Sequence, residues 1–362
     1  MTAPPIEEAR AKGLMRAAVY RGNGRLAVEA VPVPEIGPGE LLLRVAVCGV
    51  CNTDVKKIHD DLLPPPRIFG HETAGVVAAV GEGVRGFQMG DRVAVFHHIP
   101  CGRCFYCQQR LYAQCPTWKK VGVTAGFEPS GGGFAQYVRV MDRIVARGVL
   151  HIPGDVSFEQ ASFIEPVNTC LKAVRQAGLK KEETVLIQGQ GPIGLLLMLL
   201  ARREGCSVLV SDPIEERLQL AARLGADSGF NPRLVNVAEA VKPWTEGRGV
   251  DAVLVAAPSP ALVQEALEAV RPGGRVLLFA QTSRKDRLDL PAAAVCVDEK
   301  QILGSYSADV DLQEESARLV FEDRLPVAEL ITHRFPLERI EEAIGLATRP
   351  RPDSLKILVT LS

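Results

Sequence analysis

The chain has 362 residues, 42 basic and 43 acidic side chains, a formal net charge of −1, and 47% hydrophobic and 23% charged residues. These are the proportions of a soluble globular protein and exclude a disordered or fibrous one; the near-neutral balance supplies no basic stripe for nucleic acid or an anionic membrane. At ~100–200 residues per domain, two or three domains are expected.

The opening segment, MTAPPIEEARAKG, carries Glu7 and Glu8 and no apolar stretch, so it reads as a short flexible tail and not as a secretory signal. From Arg16 to about residue 160, strand-like runs are broken by Gly and Pro: Arg16–Tyr20, Glu40–Val47, Ala74–Val80 and Arg92–Phe96. Such spacing predicts a β-rich, barrel-like domain. From Thr184 apolar strands alternate with helix-length segments. Thr184–Gln188 precedes Ile193–Glu204, and Ser207–Ser211 precedes Ile214–Leu224; strands at Asp251–Val255 and Arg275–Ala280 follow. This α/β alternation predicts a doubly wound parallel sheet with helices on both faces. The longest strongly apolar run, Ile193–Ala201, stops at Arg202, far short of the ~18 residues of a membrane span. After about residue 300 the pattern loosens, and Leu355–Thr360 reads as a closing strand. The expected organisation is therefore residues 1–160, 161–300 and 301–362, the last returning to the first domain.

Nine cysteines are present, four of them between positions 101 and 115. Without an export signal the expected compartment is the cytoplasm, whose reducing conditions favour metal over disulfide for such a cluster. Cys101, Cys104, Cys107 and Cys115 form a C-x2-C-x2-C-x7-C set that can wrap one tetrahedral Zn²⁺, a closed and therefore structural site. Cys48 and Cys51 also spell C-x-x-C, but residues three apart on a strand face opposite ways. Cys48 is expected in the core, and Cys170, Cys206 and Cys296 as small buried hydrophobes.

Gly189-Gln190-Gly191-Pro192-Ile193-Gly194 follows one predicted strand and opens a helix. Gly189 allows the tight turn, Gly191 lets a pyrophosphate approach the backbone, and Gly194 lets helix and strand pack closely. Pro192 suits the first helical position, and the helix N-terminus offers free N–H groups to phosphate. The next strand ends at Asp212, where a carboxylate can hold ribose hydroxyls and repel a 2′-phosphate. NAD is thus expected over NADP. Arg217 is expected to flank the adenine or to face solvent.

In order, Cys51-Asn52-Thr53-Asp54, Gly70-His71-Glu72, the four-cysteine lobe, Glu165-Pro166 and the glycine loop resemble the zinc-containing medium-chain alcohol dehydrogenases. The likeness is greatest to their polyol, threonine and glucose dehydrogenase branch. It runs from about Arg16 to Thr360 and includes Gly70-His71-Glu72-x-x-Gly75, Val80-Gly81-x-Gly83-Val84, Gly90-Asp91-Arg92-Val93 and Ile331-Thr332-His333-Arg334-Phe335-Pro336-Leu337-Glu338. It implies a GroES-like β-rich catalytic domain made from both chain ends, a central Rossmann domain, and a homodimer or homotetramer. The implied reaction is zinc-dependent hydride transfer from a secondary alcohol or polyol to NAD⁺, giving the ketone.

Carried over residue by residue, the resemblance makes Cys51 and His71 catalytic-zinc ligands, with Glu165 in the third-ligand position and Glu72 as the other candidate. Three protein ligands leave the open position that catalysis requires. Thr53 matches the hydroxyl that hands on the alcohol proton, and Asp54 is the natural acceptor for the His71 N–H. Relatives place a relay histidine where Lys56 stands; His59 is a possible substitute or a surface residue. His97 occupies a pocket position, where a polar group suits a hydroxylated substrate. Thr169 matches a residue beside the nicotinamide, and Lys356 a cation for the pyrophosphate, or else an exposed lysine. Gly304-Ser305-Tyr306-Ser307 lacks the phenylalanine-arginine-tyrosine run of polyol dehydrogenases, which argues against a sorbitol-like substrate. Other readings are a primary alcohol or a sugar's anomeric hydroxyl as substrate, or a non-catalytic NAD-binding redox sensor or structural protein. The four-cysteine lobe disfavours the zinc-free quinone and enoyl reductases.

Overall fold

A computed structural model describes residues 13–127, 129, 131–280 and 285–361; the N-terminal tail read from the sequence lies outside these except for Gly13. There are two compact units. One combines the chain up to Glu165 with the part from Asp309 onward, and the other is Pro166–Ala308.

In the first unit β1 (Leu14–Tyr20) and β2 (Leu26–Pro32) form an antiparallel ribbon. β3 (Leu41–Gly49) is the spine of the main sheet. Its first half alternates as a half-buried strand should, Leu41, Leu43 and Val45 buried and Arg44 exposed. Its last residues, Val47, Cys48 and Gly49, are all buried. Helix α1 (Asn52–His59) follows at once. β4 (Glu72–Val80) pairs antiparallel with β3, β5 (Arg92–Val95) with β4, and β8 (Val149–His151) with β5. β6 (Val123–Thr124) pairs with β7 (Tyr137–Val140), which lies on β3.

The second unit begins in α2 (Ile164–Ala177), whose first two residues belong to the first unit. Its six strands are β9 (Thr184–Gln188), β10 (Ser207–Ser211), β11 (Ser228–Phe230), β12 (Val250–Val255), β13 (Val270–Leu278) and β14 (Gln301–Gly304). All are parallel, in the order β11-β10-β9-β12-β13-β14. Helices α3 (Pro192–Arg203), α4 (Glu215–Arg223) and α5 (Pro260–Ala269) alternate with them. Val185, Leu186 and Ile187 of β9 are fully buried, the continuous apolar run of a strand covered on both faces. Because β14 pairs with β13, this unit runs to Ala308, and the boundary expected at residue 300 would have cut off its edge strand. The strand order reverses between β9 and β12, the kind of position where doubly wound sheets bind ligands.

The chain then returns to the first unit through α6 (Gln313–Phe321), β15 (Ile331–Pro336), α7 (Ile340–Thr348) and β16 (Lys356–Thr360). β16 lies antiparallel on β3, pairing Leu358 with Gly49, Val359 with Cys48 and Thr360 with Val47. Its Ile357 and Val359 join Met15, Tyr20, Leu43, Phe69 and Phe134 in one core.

Among the described residues no helix is long and apolar enough to cross a membrane. All nine cysteines lie among the described residues, and none is in a disulfide. Cys48, Cys170 and Cys206 are buried, whereas Cys296 is exposed, contrary to expectation: its short helix, Ala292–Cys296, buries no residue.

The glycine at 194 is a packing requirement. A Cβ there would stand 1.7 Å from the Gly189 carbonyl oxygen. Gly194→Ala should therefore lower the unfolding free energy by about 1–3 kcal/mol, as overpacking does; an unchanged denaturant midpoint would contradict the close helix–strand contact.

Candidate metal centres and dinucleotide loop

The first cluster forms where β3 hands over to α1 and where β4 begins. Cys51 is the N-cap of α1, and its sulfur accepts a hydrogen bond from Thr53 N at 3.5 Å. One donor atom each from Cys51, His71 and Glu72 lie within 4.8 Å of one another. His71 is anchored from behind: its Nδ1 lies 3.1 Å from Asp54 Oδ1, which also accepts from Gly70 N at 3.4 Å. Asp54 is completely buried. Burial alone would raise its carboxyl, but the positive charge and hydrogen bond of His71 hold it below the usual range. Burial likewise disfavours an imidazolium at His71, yet the charges of Asp54 and Cys51 raise its pKa well above the ordinary value.

Two carboxylates were in contention beside Cys51 and His71. The compact set contains Glu72, while Glu165 stands outside it. Glu165, in the first turn of α2, is pushed up to about 7 by burial and by the charges of Glu72 and Asp54, against the pull of His71 and Lys356. Lys356 corrects a second expectation. It is only 5% exposed and ion-pairs with Glu72, and its Nζ donates to Val50 O at 3.2 Å. It is therefore not an exposed lysine, and its ammonium is engaged by Glu72. The pairing of β16 with β3 carries it inward, two residues before Leu358 meets Gly49.

Thr53 sits at the start of α1 and Lys56 one turn further on. His59 is at the far end, about 9 Å along the axis from Thr53 at 1.5 Å per residue. Its Nε2 lies 2.8 Å from Thr348 Oγ1 on an exposed surface. Helix geometry thus rules out His59 as Thr53's neighbour. His97 is buried with its ring centroid 4.7 Å from that of His71, and its Nδ1 has no hydrogen-bond partner. Burial and nearby positive groups push its pKa well below 6.5, so the ring is neutral at pH 7. The sequence reading missed His98. Its ring lies 4.2 Å from that of His97, and burial pushes it down to about 3. The visible signal was the His97-His98 pair just ahead of Cys101.

The second cluster is the four-cysteine lobe, whose sulfurs also lie within 4.8 Å of one another. Zn–S bonds of about 2.3 Å in a tetrahedron set sulfurs about 3.8 Å apart. Cys101 and Cys107 stand at 3.9 Å, and Cys104 and Cys107 at 3.5 Å. Backbone N–H groups of Arg103 and Cys104 pull the Cys101 thiol down to about 6, which favours the ligating thiolate. Both donor sets fit zinc: four thiolates close one site, and thiolate, imidazole and carboxylate leave the other open.

In the second unit Gly189 directly follows β9 with a φ of +89°, Gly191 caps α3, Pro192 is its first residue, and Ile193 and Gly194 follow. Asp212 directly follows β10 and is buried. Its Oδ2 accepts from Gln190 N at 2.6 Å and its Oδ1 from Ile214 N at 2.9 Å. Arg217 Nη1 is 3.9 Å from Asp212, and the Arg217 side chain is 12% exposed, so it turns toward the carboxylate and not to solvent. Thr169 Oγ1 donates to Pro166 O at 2.9 Å.

Residues 37–153 match the family described as alcohol dehydrogenase GroES-like domain, and residues 192–322 match zinc-binding dehydrogenase. Sorbitol dehydrogenase of Bacillus subtilis is 30% identical over 351 residues, covering 95% of this chain and 97% of the relative. The chain belongs to the zinc-containing medium-chain alcohol dehydrogenases. L-threonine 3-dehydrogenase of Pyrococcus horikoshii is 34% identical over 333 residues, 90% of this chain and 92% of that one. A zinc-binding dehydrogenase from Sinorhizobium meliloti, solved bound to NADP, superimposes with a TM-score of 0.87 at 30% identity, covering 96% of this chain and 99% of that one. The protein is thus an oxidoreductase of the alcohol and polyol dehydrogenase type.

The Asp54–His71 pair can be tested in chelator-treated protein. Asp54→Asn should cost about 1.5–3 kcal/mol of unfolding free energy at neutral pH, the range for hydrogen bonds to charged groups. A depressed carboxyl contributes above its unfolded value and loses that contribution as pH falls through the folded one. The gap between parent and variant should therefore narrow in strong acid. Equal denaturant midpoints at pH 7 would contradict the pairing.

Proposed function

We propose that the protein oxidises a secondary alcohol or polyol to its ketone at Cys51, His71 and Glu72, with NAD⁺ as the preferred acceptor. The convergence of these three donors, backed by a fully buried Asp54, carries the reading. When bound, zinc would supply a Lewis acid for the alcohol oxygen and NAD⁺ would accept the hydride.

The chain's own residues do the rest. Asp54 holds the His71 Nδ1 proton, which fixes the tautomer and leaves Nε2 as the donor to metal. Lys356, paired with Glu72, offsets one negative charge of the donor set. Thr53 passes the alcohol proton outward. His97, neutral and with Nδ1 unsatisfied, can bind a further substrate hydroxyl. Cys101, Cys104, Cys107 and Cys115 hold a structural zinc. Gly189, Gly191 and the N-terminus of α3 receive the pyrophosphate. Thr169 lines the nicotinamide side of the second unit. The preference for NAD over NADP rests on Asp212, whose oxygens each keep a second lone pair for a ribose hydroxyl, while Arg217 lies against it and not open to a 2′-phosphate.

NADH formation should be assayed against polyols, amino alcohols, sugars and simple secondary alcohols, before and after chelation and zinc restoration. Zinc-dependent turnover of a secondary alcohol is expected; zinc-independent turnover would overturn the proposal. Cys51→Ser should lose several kcal/mol of Lewis-acid stabilisation, about a thousandfold in kcat, while still binding NADH. Asp212→Gly should raise the use of NADP relative to NAD, and unchanged selectivity would remove Asp212 from the ribose site.

A further inference from the structure

The two legs of the four-cysteine lobe meet beside the first cluster. His98, three residues before Cys101, bridges antiparallel to Gly122, seven residues after Cys115. The outgoing leg turns at Cys115, where Trp118 N bonds to Cys115 O at 2.9 Å, and reaches Val121, whose carbonyl oxygen lies 3.4 Å from His98 Nδ1. A Cβ at Gly122 would come within 2.4 Å of His97 O and 3.1 Å of His98 Nδ1, so the neck closes this tightly only with glycine there.

Four rings run through that neck. Trp118 is fully buried and forms the small core of the lobe with Cys107 and Cys115. Its ring stands 5.9 Å from His98, His98 stands 4.2 Å from His97, and His97 stands 4.7 Å from His71. Hydrogen bonds do little to fix the three rings ahead of His71. Trp118 Nε1 and His97 Nδ1 have no partner among the described residues, and the His98 contact is long. Their orientations are therefore set by packing, each ring by the next. Interiors at crystal-like density transmit such displacements and do not absorb them.

We propose that Trp118 and His98 are positioning residues for the dehydrogenase reaction: the lobe, through Trp118 and then His98, sets the angle at which His97 faces the substrate beside His71. The four-cysteine lobe then does more than stiffen a loop, because its packing decides how an alcohol is seated at the other cluster. This inference rests on the reading of Cys51, His71 and Glu72 as the catalytic centre.

The test uses the zinc-loaded full chain. Trp118→Leu is expected to raise KM for the alcohol roughly tenfold, as small misplacements near a reacting centre do, with KM for NAD⁺ and zinc content unchanged. Trp118→Phe, which keeps a ring, should restore most of the loss. His98→Leu should reproduce the defect, and the double variant should be no worse than either single, since both act along one path. An unchanged KM in Trp118→Leu with only a lower melting temperature, or effects that add in the double variant, would overturn the proposal. Should Trp118→Leu not fold, His98→Leu and Trp118→Phe carry the same comparison.

A readout independent of turnover separates this idea from the one beneath it. In cobalt-substituted protein, subtracting the visible spectrum of Cys51→Ser isolates the bands of the Cys51 centre. Those bands should shift in His98→Leu. Bands that do not move sink the positioning role, whereas a Cys51→Ser spectrum identical to the parent's sinks the catalytic-centre reading instead.

Discussion

The first unit depends on one backbone pairing, that of β16 on β3. Leu358, Val359 and Thr360 hydrogen-bond along Gly49, Cys48 and Val47, at the end of the strand that leads into Cys51. The pairing lies at the end of β3 that leads to Cys51 and delivers Lys356 to Glu72. Without it, Glu72 would be a buried carboxylate that has lost its lysine partner, and breaking a buried ion pair costs several kcal/mol. Sheet register and site electrostatics are thus two aspects of one contact.

The site itself is a set of charges that tolerate burial only in combination. The positive charge and hydrogen bond of His71 hold the Asp54 carboxyl low, and the charges of Asp54 and Cys51 raise the His71 pKa. Glu72 leans on Lys356, and Glu165 sits at the margin with its carboxyl near neutrality. Networks of this kind are costly when partly satisfied and rigid when complete, which suits a centre that must hold one geometry.

The features legible in the sequence were those written within a few residues of one another. The glycine loop needs only a strand before it and a helix after it, and both form as read. The four cysteines span a single lobe, and their spacing alone announces a closed metal site. Cys51 and His71 became legible only through resemblance, because they meet in space across twenty residues of loop and helix. What stayed hidden depends on long-range pairing. Whether Glu72 or Glu165 joins the compact set is decided by the start of β4, and the inward turn of Lys356 by the register of β16. The place of β14 was set by its partner β13 and not by its own four residues. His98 and Trp118 carry no motif, and only the closing of the lobe's neck brings them together.

The insertion of the second unit between the two halves of the first has a consequence for folding. β3 is synthesised long before β16, so its edge at Val47–Gly49 stays open while all of Pro166–Ala308 is made and can fold on its own local contacts. An open edge with apolar flanks is a template for the wrong strand. In the nascent chain the first unit therefore passes through a stage in which Cys51, His71 and Glu72 exist but the lysine that pairs with Glu72 does not. Early zinc capture at the four-cysteine lobe, which needs only residues 101 to 115, would give that waiting half a stable anchor before its last strand arrives.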